Sequence, residues 1–97
     1  MNIVEKYGGT SVGTIEQIQA IALHAKHMKE QGHNLVIVAS AMGKTTNKLI
    51  ELAHSVTSNP NKRELDSLLS TGEQQTITLL AIAMNSIGLD TISLTGY

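Results

Sequence analysis

The sequence predicts an α/β domain in which helices pack against short parallel strands, and three observations indicate this class. Residues 35–39 form a continuous apolar run, which is typical of a strand buried on both faces of a parallel sheet. Residues 2–6 favour β structure, and both segments lead into turns of small residues. Between the two segments, apolar residues recur at intervals of three and four, which is the helical period. A strand–helix–strand unit of this kind is almost always right-handed.

The first helix is predicted over about residues 15–31. Its apolar positions lie on one arc, and the charged residues lie on or near the other side. Gly32 follows, where a helix C-terminal glycine is expected. After the second strand, another turn of small residues leads into a second helix, which is expected to end before Pro60.

The C-terminal third of the chain is predicted to hold two further helices and a strand. Asn61, with Glu64 three residues later, has the spacing of a capping box. We expect the helix that begins there to be interrupted at residues 70–72, because a glycine follows two hydroxyl residues. Another helix is predicted over about residues 73–87 and a third strand over residues 90–94. The predicted order is therefore β-α-β-α-α-α-β, a layered α/β plan.

Composition bounds the possible functions. The 97 residues are 41% hydrophobic and 15% charged, which suits one small domain with a core. The net charge of −1, without any basic run, argues against a nucleic-acid partner. Cysteine is absent, so disulfides and thiolate zinc sites are excluded. Glu5 and Lys6 interrupt the first apolar residues, and no apolar run reaches membrane-spanning length, so we expect a cytoplasmic protein without a membrane partner.

Two histidines deserve a separate test as metal ligands. His24 and His27 share the first predicted helix at a spacing of three residues. A metal site normally needs three or four ligands, and no third ligand is apparent nearby. We therefore predict that both histidines line a solvated face, and we predict no metal ligand in this sequence.

The turn after the first strand has features that suit a phosphate group. Gly8 and Gly9 allow backbone N–H groups to approach an anion, and the hydroxyls of Thr10 and Ser11 add donors. The helix that follows presents its positive end to the same place, and Lys6 adds a positive charge. The alternative is a tight strand-to-helix turn with a surface lysine. The pattern is neither a P-loop nor a dinucleotide-binding glycine motif.

Two further segments carry polar residues beside predicted helix starts. Ser40 opens the turn after the second strand, and Thr45 and Thr46 follow where they could simply cap the next helix. A helix start also attracts a carboxylate ligand, so capping and substrate binding are compatible. Glu73 is predicted to open the last helix, where the helix dipole alone favours an acidic residue. The functional alternative is that Glu73 binds the ammonium group of a substrate.

Taken together and in this order, these segments resemble the aspartate kinase branch of the amino-acid kinase family. The resemblance covers nearly the whole chain, and one residue departs from the common pattern, because phenylalanine is more usual at the position of Tyr7. The matching segments are Lys6-Tyr7-Gly8-Gly9-Thr10-Ser11-Val12-Gly13, Ser40-Ala41-Met42-Gly43-Lys44-Thr45-Thr46-Asn47, Leu68-Leu69-Ser70-Thr71-Gly72-Glu73-Gln74 and the ending Ser93-Leu94-Thr95-Gly96.

The resemblance implies a role for each matching position. Lys6 would be catalytic, stabilising the transferring phosphoryl group. The substrate aspartate would be bound by Ser40, Thr46 and Glu73, with Glu73 on its α-amino group and Thr45 as a less direct neighbour of the site. The ATP phosphates would be bound by Lys6, Tyr7, Gly8, Gly9, Thr10 and Ser11.

The resemblance also implies a fold and an activity. The fold would be a three-layer α/β/α arrangement with a mainly parallel sheet. Residues 1–97 would be the N-terminal part of a truncated catalytic domain, inactive alone and prone to homo-oligomerise. The activity would be ATP- and Mg²⁺-dependent phosphorylation of the L-aspartate β-carboxylate, the first step towards lysine, threonine and methionine. Two alternatives stay open: another family member acting on glutamate, acetylglutamate, carbamate or a nucleotide, and a non-catalytic binding or assembly module.

Overall fold

A computed structural model describes residues 1–94 of the chain. Two parallel strands, β1 (Asn2–Tyr7) and β2 (Asn34–Ala39), form the sheet within this part. Tyr7 pairs with Ala39 at the end of the register, so both strands end at the same edge of the sheet. The α/β class predicted from the sequence is confirmed.

Helix α1 (Ile15–Glu30) connects the two strands. A short 3-10 turn, Gly9–Val12, precedes it, and Thr14 caps it in a full capping box with Gln17. The helix ends as predicted at a glycine, because Gly32 has a φ of +89°, a conformation that L side chains rarely adopt.

Helix α2 (Gly43–Val56) begins earlier than the sequence suggested. The residue before its first turn is Met42, and no side chain caps the helix there. The prediction that Thr45 or Thr46 caps this helix is therefore wrong. Both threonines lie inside the first turn, where their own backbone is already helical.

Helix α3 (Lys62–Ser86) is continuous over 25 residues, so the predicted interruption at residues 70–72 is wrong. Asn61 caps its start as expected, by accepting a hydrogen bond from the backbone N–H of Glu64 at 3.1 Å. Gly72 is buried in the middle of the helix rather than at a break. Glu73 therefore lies in the middle of the helix. The predicted reason for an acidic residue here, the dipole at a helix N-terminus, is wrong.

The core lies between α1, the C-terminal half of α3 and one face of the sheet. Alternate strand residues, including Tyr7, Leu35 and Ile37, pack against this core. The other sheet face carries the exposed side chains of Val4 and Val36, so the second helical layer of the three-layer fold stays a prediction. The buried core residues are Val12, Ile18, Ile21, Ala22, Ala25, Ala39, Leu80 and Met84.

The predicted third strand is not formed over residues 90–94. These residues instead line a groove of about 620 Å³ together with β2 and α3. A strand needs a ladder of hydrogen bonds to a neighbour, and here the groove separates the segment from β2. No helix among residues 1–94 combines the length and the apolar character needed to cross a membrane.

Candidate functional site

The turns after β1 and β2 touch each other through glycine. A Cβ at Gly9 would lie 3.1 Å from the carbonyl oxygen of Ala41 and 3.4 Å from the Cα of Gly43. The backbone N–H of Ser40 also donates to the carbonyl of Tyr7 at 3.0 Å. Only glycine at position 9 permits this approach without a shift of backbone, so the first and second sequence segments meet at the strand ends.

The third segment reaches the same place through Gly72. A Cβ at Gly72 would lie 3.0 Å from the Cβ of Ala41, 3.1 Å from Cγ2 of Thr45 and 3.4 Å from Cδ1 of Leu49. Helix α3 therefore packs closely on the turn and first helical turn that follow β2. The three segments singled out in the sequence converge beyond the carboxyl ends of the strands, where open α/β sheets bind ligands.

Three polar side chains of the first segment, Lys6, Thr10 and Ser11, are exposed, whereas Val12 is buried in the core. Lys6 is exposed on the sheet face that also carries Val4 and Val38, and it is paired with Val38 across the ladder. Gly8 has open space where a Cβ would stand, with no heavy atom within 4 Å. Thr10 and Ser11 are exposed beside it.

The residues predicted to bind a substrate lie around this convergence. Ser40 is exposed directly after β2, and Thr46 is half-buried in the first turn of α2. Glu73 is exposed, follows Gly72 and lines the groove beside β2 together with Ala39. Within residues 1–94, neither Lys6 nor Glu73 makes a side-chain hydrogen bond or ion pair, so their charges face solvent.

A chain of hydrogen bonds that the sequence analysis missed lies on the helix-facing side of β1. The hydroxyl of Tyr7 donates to Oε1 of Glu5 at 2.9 Å, and Nε2 of His24 on α1 lies 2.9 Å from Oε2 of the same carboxylate. The hydrogen bond from His24 lowers the pKa of Glu5 below its ordinary value, and the Tyr7 hydroxyl adds to this effect. Burial, and then the hydrogen bond to Glu5, raise the pKa of Tyr7 to about 12.

Gln17 holds the other end of the glycine turn. Its side-chain oxygen accepts hydrogen bonds from the backbone N–H groups of Gly13 at 2.8 Å and Thr14 at 3.1 Å. Its side-chain nitrogen donates to the carbonyl of Thr10 at 3.0 Å. Three backbone groups of the turn are thus fixed by one side chain.

A sequence signal existed for part of what was missed. Thr14 and Gln17 have the spacing of a capping box, and Glu5 alternates onto the same strand face as Tyr7. The contact with His24 depends on how α1 lies over β1, which no local pattern specifies.

The described residues offer no dedicated metal site. Among residues 1–94, no three side chains of His, Cys, Asp or Glu are grouped so that they could hold a metal ion. His24 is paired with Glu5 and His27 lies 3.2 Å from the side-chain nitrogen of Gln31, so the two histidines do not act together.

A family model and individual relatives match this chain over nearly its whole length. Residues 1–96 match the family described as "Amino acid kinase family". The chain is 52% identical to Aspartokinase 2 of Bacillus subtilis over 95 residues, which cover 98% of this chain and 23% of that protein. It is 51% identical to the aspartate kinase of Pseudomonas putida over 94 residues, which cover 97% of this chain and 23% of that protein.

A solved structure agrees with the sequence relatives. The fold matches the crystal structure of aspartate kinase from Synechocystis with a TM-score of 0.92 and 52% sequence identity. The match covers 97% of this chain and 16% of that one. The chain therefore spans about a quarter, or less, of the length of the relatives that it matches.

Proposed function

This chain belongs to the amino acid kinase family, and on that basis we propose that it forms part of an aspartate kinase. The enzyme would transfer the γ-phosphoryl group of ATP to the β-carboxylate of L-aspartate. Relatives that carry the name aspartokinase or aspartate kinase share about half of its residues over nearly its whole length. Glutamate, acetylglutamate, carbamate and nucleotides are the competing acceptors within the family.

One observation carries the proposal beyond sequence similarity. The three segments of the family resemblance meet at the carboxyl ends of β1 and β2, through the close approaches of Gly9 and Gly72. A phosphate-binding turn and a substrate-binding helix pair must lie side by side for a phosphoryl group to pass between them. The turn to which we assign the phosphates and the helices to which we assign the substrate contacts meet at this point, which supports the proposal.

The chemistry requires positioning and charge more than proton transfer. A carboxylate is already ionised and nucleophilic at pH 7, so its in-line attack on the γ-phosphorus needs no general base. The attack forms a carboxylate O–P bond, breaks the bond to the β-phosphate oxygen and yields an acyl phosphate with ADP. Lys6, exposed and without a carboxylate partner among the described residues, is free to neutralise the charge on the transferring group.

Glu73 is assigned to the α-amino group of aspartate. Its exposed carboxylate stands beside the contact between α2 and α3, on the groove that runs along β2. Thr46 and Ser40 offer hydroxyls on the neighbouring elements. Tyr7, Gly8, Gly9, Thr10 and Ser11 would surround the phosphates on the other side of the site.

ATP-dependent kinases use Mg²⁺ bound largely by the substrate phosphates. The part of the chain that the structure describes holds no group of three metal-binding side chains, so it does not fit a protein-bound metal. We therefore assign no step of the reaction to a metal held by these residues.

The proposal is tested with the complete protein that contains this sequence. We expect ADP release that depends on L-aspartate, and no release with glutamate, acetylglutamate, carbamate or a nucleotide as acceptor. We also expect the 97-residue chain alone to show no sustained turnover. Activity with a different acceptor would move the protein to another branch of the family, and no activity with any acceptor would favour a binding or assembly module.

Two substitutions in the complete protein separate the assigned roles. Lys6→Ala should lower kcat roughly hundredfold, because it removes charge stabilisation of the transferring group. Glu73→Ala should instead raise KM for aspartate roughly tenfold or more, because it removes a charge-assisted hydrogen bond. Lys62→Ala and Glu51→Ala, two exposed residues outside the site, serve as matched controls. Equal changes in KM alone for both site variants would overturn the two roles.

A further inference from the structure

Three side chains connect the C-terminal end of β1 to helix α1. Glu5 uses both carboxylate oxygens, one for the Tyr7 hydroxyl and one for His24, each at 2.9 Å. Glu5 and Tyr7 alternate with Lys6 along β1, and His24 lies on α1, the helix that begins after the turn. The two elements that flank residues 8–13 are thus joined by a side-chain bridge that neither the hydrogen bonds of the sheet nor those of the helix provide.

We propose that Glu5 is a positioning residue for phosphoryl transfer. Glu5 holds the Tyr7 hydroxyl and the His24 ring at the same time, and it thereby fixes the end of β1 against α1. The inference rests on the proposed function, because it takes Lys6 and Gly8 as the groups that contact the transferring phosphate. Glu5 itself touches neither phosphate nor aspartate. It acts through its neighbours in the chain.

Geometry explains how this effect reaches Lys6. Lys6 lies between Glu5 and Tyr7 in sequence, and strand alternation sends its side chain to the opposite face. When both neighbours are held on the helix-facing side, the two peptide units that carry Lys6 lose their freedom to twist. The Tyr7 ring also packs against the core, and Tyr7 leads directly into Gly8.

The hydroxyl of Tyr7 is the part of this arrangement that the usual family residue, phenylalanine, lacks. A hydroxyl that donates to a carboxylate forms a charge-assisted hydrogen bond, which is about twice as strong as a neutral one. The far end of the turn is held independently by the three hydrogen bonds of Gln17. The turn is therefore fixed at both ends, and Glu5 supplies the anchor on the catalytic side.

Kinetics of the complete enzyme test the proposal. Glu5→Ala and Tyr7→Phe should each raise KM for ATP and lower kcat, with a combined loss in kcat/KM for ATP of roughly tenfold and an unchanged KM for aspartate. The double variant should lose no more than the worse single variant, because both changes break the same link. Glu5→Gln should retain more activity than Glu5→Ala, since the amide oxygen still accepts from the Tyr7 hydroxyl.

A matched pair of histidine variants tests the helix end of the link. His24→Gln should reproduce part of the loss, whereas His27→Gln, which alters a histidine one turn away on α1 that does not touch Glu5, should leave the kinetics unchanged. Additive losses in the double variant, or equal changes in the KM of ATP and aspartate, would overturn the proposal. Tyr7→Phe keeps the ring in the core, so the test stands even if Glu5→Ala does not fold.

A spectroscopic measurement separates this inference from the proposed function. The phenolate absorbance of Tyr7 is obtained as the difference between each variant of the complete protein and the same variant that also carries Tyr7→Phe. The pKa of about 12 should fall in Glu5→Ala but not in His27→Gln. An unchanged pKa would show that Glu5 does not hold the hydroxyl, whatever the activity. If the pKa of Tyr7 falls in Glu5→Ala but the parent enzyme shows no aspartate-dependent turnover, the proposed function is refuted. The hydrogen-bonded link between Tyr7, Glu5 and His24 would still stand.

Discussion

Gly8 and Gly9 are neighbours in the chain, yet a methyl group at each would meet different surroundings. At Gly9 the methyl carbon would lie 3.1 Å from a backbone oxygen, so the glycine is required by the fold. At Gly8 nothing lies within 4 Å, and its φ of −77° suits any residue. The fold does not need a glycine at position 8, and the open space beside it is consistent with the proposed approach of a phosphate group.

Gly8→Ala should therefore leave stability unchanged and weaken ATP binding. The added methyl group occupies the space next to the proposed phosphate position, and we expect a rise of about tenfold in KM for ATP, equivalent to about 1.4 kcal/mol. Thermal unfolding should coincide with that of the parent protein. Gly9→Ala is the control, because it should lower the melting temperature itself. Wild-type affinity for ATP in Gly8→Ala would remove Gly8 from the phosphate site.

The ionisation of Tyr7 should lower the stability of the fold at alkaline pH. Its pKa is about 12 in the folded chain, above the value of about 10 for a free tyrosine. The protonated hydroxyl is thus favoured by folding, so its contribution is complete below pH 10 and is lost as the pH rises towards 12. The stability advantage of the parent chain over Tyr7→Phe should shrink across this window.

Urea unfolding of the two chains at pH 8, 10, 11 and 12 measures this difference. All other ionisable groups are common to the two chains, so their contributions cancel in the comparison. At acidic pH a second group, Glu5, makes stability rise with pH instead of fall, because the hydrogen bond from His24 lowers the pKa of Glu5. That contribution is present above the ordinary pKa of a glutamate and disappears as the pH falls through the lower folded value. For Tyr7, a stability difference between the parent chain and Tyr7→Phe that stays constant from pH 8 to pH 12 would contradict its hydrogen bond to Glu5.

At the scale of elements, the continuity of α3 is decided by packing. Two hydroxyl residues and a glycine in succession favour a break on local propensity. The structure keeps the helix because Gly72 lets α2 approach, with Ala41, Thr45 and Leu49 within contact distance of its missing Cβ. Thr76, fully buried one turn later, donates back to the carbonyl of Gly72 at 3.3 Å. Sequence spacing cannot distinguish a glycine that breaks a helix from one that admits a neighbour.

Gly72→Ala tests this account, because the two effects have opposite signs. Alanine gains about 1 kcal/mol over glycine in a helix interior. Overpacking against Ala41 and Thr45 costs about 1–3 kcal/mol. We expect a net loss of about 1 kcal/mol in the free energy of unfolding, and a larger loss for Gly72→Val.

Chemical denaturation followed by circular dichroism measures these changes. Gln75→Ala, at an exposed position of the same helix, should change stability by less than about 0.5 kcal/mol. A gain in stability for Gly72→Ala would mean that α2 and α3 are not in close contact at this point.

Elements with a local signal were predicted well, and those without one were not. The apolar period of α1 and the positive φ of Gly32 follow from residues close in sequence. The pairing of residues 90–94 does not, because a strand exists only if a neighbour completes its hydrogen bonds. The same limit applies to the site, where Lys6 and Glu73 were identified by family resemblance while the contact of Glu5 with His24 needed the structure.

For the molecule as a whole, the sheet has one covered face and one open face. Helices α1 and α3 cover the face that carries Leu35 and Ile37. On the other face, Val4, Val36 and Val38 are 63%, 58% and 47% exposed. Contiguous exposed apolar side chains on a strand pair favour association with another apolar surface. We therefore expect the 97-residue chain to self-associate.

Light scattering over a range of protein concentrations measures this association. Val4→Lys and Val36→Lys together place two like charges on the open sheet face and should shift the chain towards monomer, because a second copy would have to desolvate them. Val56→Lys is the matched control, since Val56 is 83% exposed at the end of α2, away from the sheet, and should leave association unchanged. A parent chain that stays monomeric at high concentration would refute the prediction. Equal effects of the sheet and α2 substitutions would place the contact elsewhere, because Val4 and Val36 are paired on the open sheet face and Val56 lies on another element.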